Sequence, residues 1–219
     1  TAVLQASGRL AIARTGAQII GVTGATGKTT TKDILVAMLA AAGARVHGTP
    51  GNRNTEIGVP LALLDMPPQT QIAVIEMGMR GMGQIAELAA LAPPAVGCIT
   101  AIGPVHLELV GSVENVALAK FELLQALPVG GVAVVPDNEP LLEPLLATLD
   151  NVRVVRFGDR PPVVLDIDLA TAWQYRCAAA AYACCDAVGH APAAGTRVDV
   201  HLSAMRGNIR ELAVGGTLV

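Results

Sequence analysis

The stretch Val22-Thr-Gly-Ala-Thr-Gly-Lys-Thr-Thr30 carries the Gly-Lys-Thr core of a phosphate-binding loop. In such a loop, glycines let backbone N–H groups converge on one point, the lysine reaches the outer phosphates, and the following hydroxyl ligands Mg²⁺. The strict pattern wants a glycine where Val22 stands, so Val22 is read as the end of a strand and the loop as a shortened one beginning at Thr23-Gly24. Gly24, Ala25, Thr26, Gly27, Lys28, Thr29 and Thr30 are therefore the candidate ATP-binding residues.

Further along the chain, four places carry chemistry that is not settled by residue type alone. Glu76 closes the apolar run Ile72-Ala-Val-Ile75; an ionised carboxylate there is costly without a partner, and Mg²⁺ or a structural partner such as Arg80 both qualify. His106, in Ile102-Gly-Pro-Val-His-Leu-Glu108, is either a structural histidine or a ligand. Lys120 interrupts the apolar stripe Val113, Val116, Ala117, Leu124 of a helix capped by Ser112. It either snorkels past its neighbours or points into a site, as a cation or as a chemically modified group. The polar run Gly51-Asn-Arg-Asn-Thr-Glu56 is either an ordinary asparagine-rich loop or a place where the amides of Asn52 and Asn54 meet a substrate.

The elements that position these residues follow from the hydrophobic pattern. Continuous apolar runs at 18–22, 71–76, 95–100, 131–135 and 152–157 predict buried strands. Helical patterns at 28–42, 83–91, 113–127 and 139–149 alternate with them, which implies an α/β fold with a mostly parallel sheet covered on both faces. In such sheets, sites gather at the carboxyl ends of the strands, so Glu76 and His106 are expected on the same edge as the phosphate loop. After residue 158 the pattern predicts an alanine-rich helix at 171–188 and strands at 196–202 and 209–212.

Composition narrows the classes. The 219 residues are 52% hydrophobic but only 2% aromatic, and the net charge is −3, which argues against a nucleic-acid partner. The longest apolar runs are about half the roughly 20 residues a membrane span needs. Cys98, Cys177, Cys184 and Cys185 form no CxxC pair, so reduced thiols in a cytoplasm are expected, and the adjacent Cys184 and Cys185 are assigned no chemistry; a monomer is expected as well.

With these residues in view, Thr23-Gly-Ala-Thr-Gly-Lys-Thr-Thr30, Glu76-Met-Gly78, Ile102-Gly-Pro-Val-His106 and Ala119-Lys120 resemble, in order and spacing, the central ATP-binding domain of the Mur ligases, the amide-forming enzymes of bacterial cell-wall precursor synthesis. The stretch Gly51–Pro60 is most similar to the branch that adds D-alanyl-D-alanine to a UDP-N-acetylmuramoyl-tripeptide, although Thr55 replaces the second of an adjacent asparagine pair. The resemblance implies ATP and Mg²⁺ as cofactors, with Lys28, Glu76, His106 and Lys120 as the catalytic set. Thr29 and Glu76 would hold a first Mg²⁺, while His106 and a carbamylated Lys120 would serve a second. It further implies that a substrate carboxylate takes the γ-phosphate of ATP to form an acyl phosphate, which an incoming amine then resolves.

On the same ground, residues 1–16 are expected to be a linker or helix from a preceding domain, 17–202 the central domain, and 203–219 the start of a following one. Where the family carries a histidine-asparagine motif contacting adenine, this chain has Ala172-Trp-Gln-Tyr-Arg176, and the segment before it is shorter, so those adenine contacts are not carried over. Two alternatives stand beside the ligase: a nucleotide-binding module without ligase activity, and a family member with another substrate, such as a folate polyglutamylating or amino-acid-adding enzyme.

Overall fold

The computed structural model describes residues 2–203, 210–211 and 217–218. Helix α1 (Ala2–Thr15) precedes β1 (Gln18–Thr23), α2 (Lys28–Ala41), β2 (Val46–Gly48), α3 (Gly58–Leu64), β3 (Ile72–Glu76), α4 (Gln84–Leu91) and β4 (Val96–Ile99). Then come α5 (Leu107–Val110), α6 (Val113–Gln125), β5 (Val132–Pro136), α7 (Glu143–Leu146), β6 (Arg153–Phe157), β7 (Asp166–Ile167), α8 (Ala172–Ala187) and β8 (Arg197–Val198). Two short strands, β9 (Arg210–Glu211) and β10 (Thr217–Leu218), pair antiparallel.

Strands β1 to β6 form one sheet in the order β2-β3-β1-β4-β5-β6, with every pairing parallel. Strands β1, β3, β4 and β5 are buried almost throughout, which is why they read as continuous apolar runs and not as alternating ones. From β1 the sheet extends through β3 to β2 on one side and through β4 to β6 on the other, the chain filling the first side before it crosses to the second. The switch point of the topology is therefore the carboxyl end of β1, where open α/β sheets bind ligands.

Successive residues of the strands face opposite sides of the sheet and feed three packed clusters, the third built on Ile99, Ala133 and Val135 with Phe121 of α6 and Leu146 of α7. Ile20, Val22, Val74, Cys98 and Val134 pack with α2 and α8 on one face. Ile19, Ala73 and Ile75 pack with α3, α4 and α6 on the other. Gly21 and Gly97 lie opposite each other in the β1–β4 register, and both face α6. A Cβ at Gly21 would stand 2.7 Å from Leu123 Cδ1, and one at Gly97 would stand 3.0 Å from Leu124 Cδ2. These two glycines let α6 settle against the sheet, and Lys120 sits one turn earlier on that helix.

The expected strands of the sheet are all present, with ends shifted by a residue or so. Other expectations are corrected. The helix predicted over 139–149 is regular only at α7, because Pro144 lacks the amide a helix interior needs and is accommodated at its first turn. The strand predicted over 196–202 is reduced to β8, which pairs only with the two-residue β7. Of the strand at 209–212, Arg210–Glu211 is described and its flanks lie outside the described residues, as does most of the expected junction at 203–219.

Overpacking the Gly21 contact tests the close approach of α6. Gly21→Val is expected to lower unfolding free energy by about 1–3 kcal/mol in urea denaturation; unchanged stability would mean that α6 does not depend on that space.

Candidate functional site

The β1–α2 loop is held by the two residues that follow β4. Thr100 Oγ1 donates to Thr26 O at 2.6 Å, and the backbone N–H of Ala25 donates to Ala101 O at 2.8 Å. A Cβ on Gly24 would collide with Thr100 Oγ1, so a side chain there is excluded by space. Gly27 closes the loop in the left-handed region at φ 82° and serves as the N-cap of α2 without any side-chain cap. The first-turn amides of α2 thus have no competing side-chain acceptor at the helix's positive end, the arrangement a phosphate uses. Lys28 Nζ donates to Gly24 O at 2.7 Å and Ala25 O at 3.3 Å, folding back over its own loop, and Thr29 is buried just behind it.

Glu76 ends β3 opposite Val22, one residue below the start of the loop. Its side chain is 1% exposed. Oε1 accepts from Asn54 Nδ2 at 2.7 Å, while Oε2 is buried and has no hydrogen-bond partner among the described residues. The structural alternative of an ion pair with Arg80 is not adopted. The asparagine-rich loop is fixed around this contact. Gly78 N donates to Asn54 O at 2.8 Å, Thr49 Oγ1 accepts from Glu76 N at 3.0 Å, and Lys32 Nζ, buried in α2 and paired with Asp33, donates to Thr49 O at 2.9 Å. A Cβ on Gly78 would lie 2.8 Å from Asn54 Oδ1, so that approach also needs a glycine. Asn52 is exposed at the mouth of the same cavity.

His106 is exposed after β4, in a left-handed backbone conformation (φ 53°) that a non-glycine residue adopts at some cost. Lys120 is 2% exposed, so it does not snorkel to bulk water. Burial, followed by the nearby positive charge of Lys28, pulls its amine from the ordinary 10.5 down to about 7. No ion pair to Lys120 occurs among the described residues.

These groups meet at one place. A cavity of about 780 Å³ is lined by Gly24, Lys28, Asn52, Asn54, His106 and Lys120 among others. An adjoining space of about 900 Å³ shares Lys28, Asn52, Asn54 and His106 and adds Thr29, Thr30 and Glu76. The sequence-derived candidates therefore share one edge of the sheet. For Mg²⁺ the fit is that of a phosphate site and not of an all-protein cage. Among the described residues no group of three His, Cys, Asp or Glu side chains could hold a metal, but Glu76 Oε2 is an unpartnered buried acceptor close to the loop that carries Thr29. Mg²⁺ typically takes one or two carboxylates and completes its shell with phosphate oxygens and water.

Three supports were not expected from the sequence. Thr100 is signalled only by a small polar residue after a buried strand. Lys32 looks like an ordinary helix lysine four residues after Lys28. Glu122, on the same helix as Lys120, accepts from Gly83 N at 2.6 Å and Ala86 N at 3.0 Å, capping α4 from a distance and holding the loop that carries Arg80 and Gln84 along the cavity.

Comparison with known proteins matches residues 22–175 to the Mur ligase middle domain. UDP-N-acetylmuramoyl-tripeptide–D-alanyl-D-alanine ligase of Bacillus subtilis is 48% identical over 128 residues, which are 58% of this chain and 28% of that protein. The Escherichia coli enzyme of the same name is 38% identical over 127 residues, 58% of this chain and 28% of that protein. Among solved structures, MurF from Acinetobacter baumannii superposes with a TM-score of 0.85 at 25% identity, covering 97% of this chain and 52% of that one. MurF from Thermotoga maritima, in complex with ADP, gives 0.80 at 27% identity, covering 97% and 55%. The chain thus spans about half the length of these solved relatives, and the matched stretch is 28% of the two curated ones.

Lys120 makes stability depend on pH. Between about 7 and 10.5 the unfolded chain binds one more proton than the folded one, so stability rises with pH across that window and the burial cost is complete below it. In bicarbonate-free buffer, Lys120→Met is expected to stabilise the protein at about pH 6, the gain shrinking by about 2–4 kcal/mol as pH approaches 10. A pH-independent difference would mean that the amine is not desolvated.

Proposed function

This chain belongs to the Mur ligase family, with its middle domain at residues 22–175, and from that premise we propose that it is the nucleotide-binding core of an ATP-dependent acid–amine ligase of peptidoglycan precursor synthesis. The acid is the carboxylate of a UDP-N-acetylmuramoyl-tripeptide and the amine is D-alanyl-D-alanine, in line with the printed names of the relatives. The observation that carries the reading is the convergence of Lys28, Glu76, His106 and Lys120 on the two adjoining cavities at the switch point of the sheet, Lys28 and His106 lining both.

A carboxylate is a poor acyl donor, so the γ-phosphoryl group is transferred to it first; ADP leaves, and the amine then displaces phosphate from the acyl phosphate. Lys28, now folded onto the Gly24 and Ala25 carbonyls, swings to the outer phosphates, where its charge offsets the negative charge spread over the transferring group. The amides at the start of α2 hold the phosphate chain, and Asn52, Arg80 and Gln84 line the cavity beside it, where the acid would sit. Thr29 and Glu76 would hold one Mg²⁺, and His106 with a carbamylated Lys120 a second; bound there, the ions neutralise phosphate charge. Asn54 orients Glu76 through its 2.7 Å hydrogen bond.

Carbamylation is supported by the state of Lys120. Only a neutral amine attacks CO₂, and with its value near 7 a large share of Lys120 is neutral at physiological pH. The neutral amine forms the N–C bond as one C=O π bond of CO₂ opens and the N–H proton leaves to water, and the resulting carboxylate is a charge that the neighbouring Lys28 attracts. Residues 1–16 serve as a linker or helix, 17–202 as the central domain and 203–219 as the start of a further domain. The protein works as a monomer in the cytoplasm, where its nucleotide substrates are; among the described residues no helix is long and apolar enough to cross a membrane.

The full reading is tested by phosphate release from ATP that requires both the UDP-muramoyl-tripeptide and D-alanyl-D-alanine. Nucleotide binding with no acceptor-dependent turnover by the intact protein would favour a binding module instead. Lys28→Ala is expected to weaken ATP binding about tenfold to a hundredfold by calorimetry; unchanged affinity would remove the phosphate loop from the account. Labelled bicarbonate is expected to yield a carbamate signal in the wild type that is lost in Lys120→Arg, and a signal retained in the variant would place the modification elsewhere.

A further inference from the structure

Lys32 and Asp33 carry buried charges that the chemistry above does not use: their side chains are 4% and 9% exposed and meet at 2.7 Å. Lys32 lies one helical turn after Lys28 on α2, the helix whose start is the phosphate site. Its three donors are all directed. One meets Asp33 Oδ1, and the others reach Thr49 O at 2.9 Å and Gly51 O at 3.4 Å. Asp33 is held in turn, since its Oδ2 accepts from Ser203 N at 2.8 Å. Stability alone does not call for such a pair, because well-packed apolar residues of similar volume often serve as well or better.

What the pair holds is the segment between β2 and α3, residues 49–57, which contains no helix or strand of its own. Lys32 grips its first part. The hydroxyl of Thr49 accepts from Glu76 N at 3.0 Å and donates to Val74 O at 3.3 Å, so the end of β3 is tied to the same point. Gly51 takes the left-handed backbone (φ 56°) that turns the chain at the second contact. Farther on, Asn54 closes the segment by its hydrogen bonds with Glu76 Oε1 and Gly78 N. Asn52 lies between these two clamps and lines both cavities. One helix therefore presents Lys28 to the phosphate site and, four residues on, Lys32 to the loop beside the acid.

We propose that Lys32 is a positioning residue: it sets the separation between the phosphate site at the start of α2 and the Asn52–Asn54 loop, and so aligns the acid with the phosphoryl group it receives, while touching neither nucleotide nor acid. The inference rests on the ligase reading above and deepens it. A loop displaced by about 1 Å misaligns the acid with the phosphate, at a cost on the order of a hundredfold in rate, whereas the phosphate contacts belong to α2 and its own loop and stay in place. The two substrates are thus separable: loss of Lys32 impairs use of the acid and spares ATP.

The test uses the intact protein with Mg²⁺ and reads two quantities: ATP affinity by calorimetry, and kcat/KM for the UDP-muramoyl-tripeptide from phosphate release at saturating ATP and D-alanyl-D-alanine. Lys32→Met combined with Asp33→Asn removes both charges and leaves no buried ion unpaired; urea denaturation checks that it folds. This double variant is expected to lower kcat/KM about tenfold to a hundredfold and to keep ATP affinity within about threefold of wild type. Lys32→Arg keeps the charge opposite Asp33 but carries its donors in a planar fork, and it decides the matter should the double variant not fold. Its kcat/KM is expected to fall about threefold to tenfold, again with ATP affinity within about threefold. A kcat/KM within about twofold of wild type in the folded variant overturns the proposal. So does a loss of ATP affinity as large as the loss in kcat/KM, which would make Lys32 a prop for the whole of α2. If wild type binds ATP but releases no phosphate in response to the two other substrates, the ligase reading itself fails and this inference falls with it.

Discussion

Val22 lies opposite Glu76 on one side and Cys98 on the other, and this backbone hydrogen-bond register brings three loops to one height above the sheet. The parallel ladder expresses that alignment and the buried side chains enforce it, since a slip of one residue would turn every one of them to the other face. Because β1 is both the centre of the sheet and the point where the connections change direction, the loops after β1, β3 and β4 have no helix crossing between them at that edge. The phosphate loop, the carboxylate of Glu76 and the histidine of the next loop meet there as a consequence of topology.

The edge carries costs that the rest of the fold has to absorb. Glu76 and Lys120 are ionisable groups at 1% and 2% exposure, and neither has an ion-pair partner among the described residues. Stability alone would favour apolar residues at both positions. The surrounding structure keeps them in place: Asn54 and Thr49 bracket Glu76, Lys32 anchors the loop that carries Asn54, and Gly21 and Gly97 admit the helix that carries Lys120. A site prepared for phosphates and cations is the economical explanation, since those ligands supply the charge that the protein withholds.

What could be read from the sequence divides along the same lines. The strands at 18–22, 71–76, 95–100, 131–135 and 152–157 were legible because a strand buried on both faces is a plain apolar run. Lys120 was legible because a cation breaks a helical stripe. Strand β2 was not, since Val46–Gly48 is three residues long, and α3 was hidden by the glycine and proline in Gly58-Val-Pro60. The partner of Glu76 could not be chosen between Arg80 and others, because Asn54 is 22 positions away and reaches it only through the fold. Thr100 and Glu122 act through backbone groups of distant loops, and such contacts leave no pattern in residue type. Trp173 stood out only as a departure from a familiar motif, and its packing against Gly27 is visible only in the fold.

The most direct measurement is a crystal structure of the protein with Mg²⁺ and a non-hydrolysable ATP analogue. The account predicts the terminal phosphate within hydrogen-bond reach of Lys28 Nζ, with a metal between it and the free oxygen of Glu76, on the side facing His106 and Lys120. Density for the nucleotide away from the carboxyl end of β1, or a phosphate chain with Glu76 and Lys120 both turned from it, would contradict it.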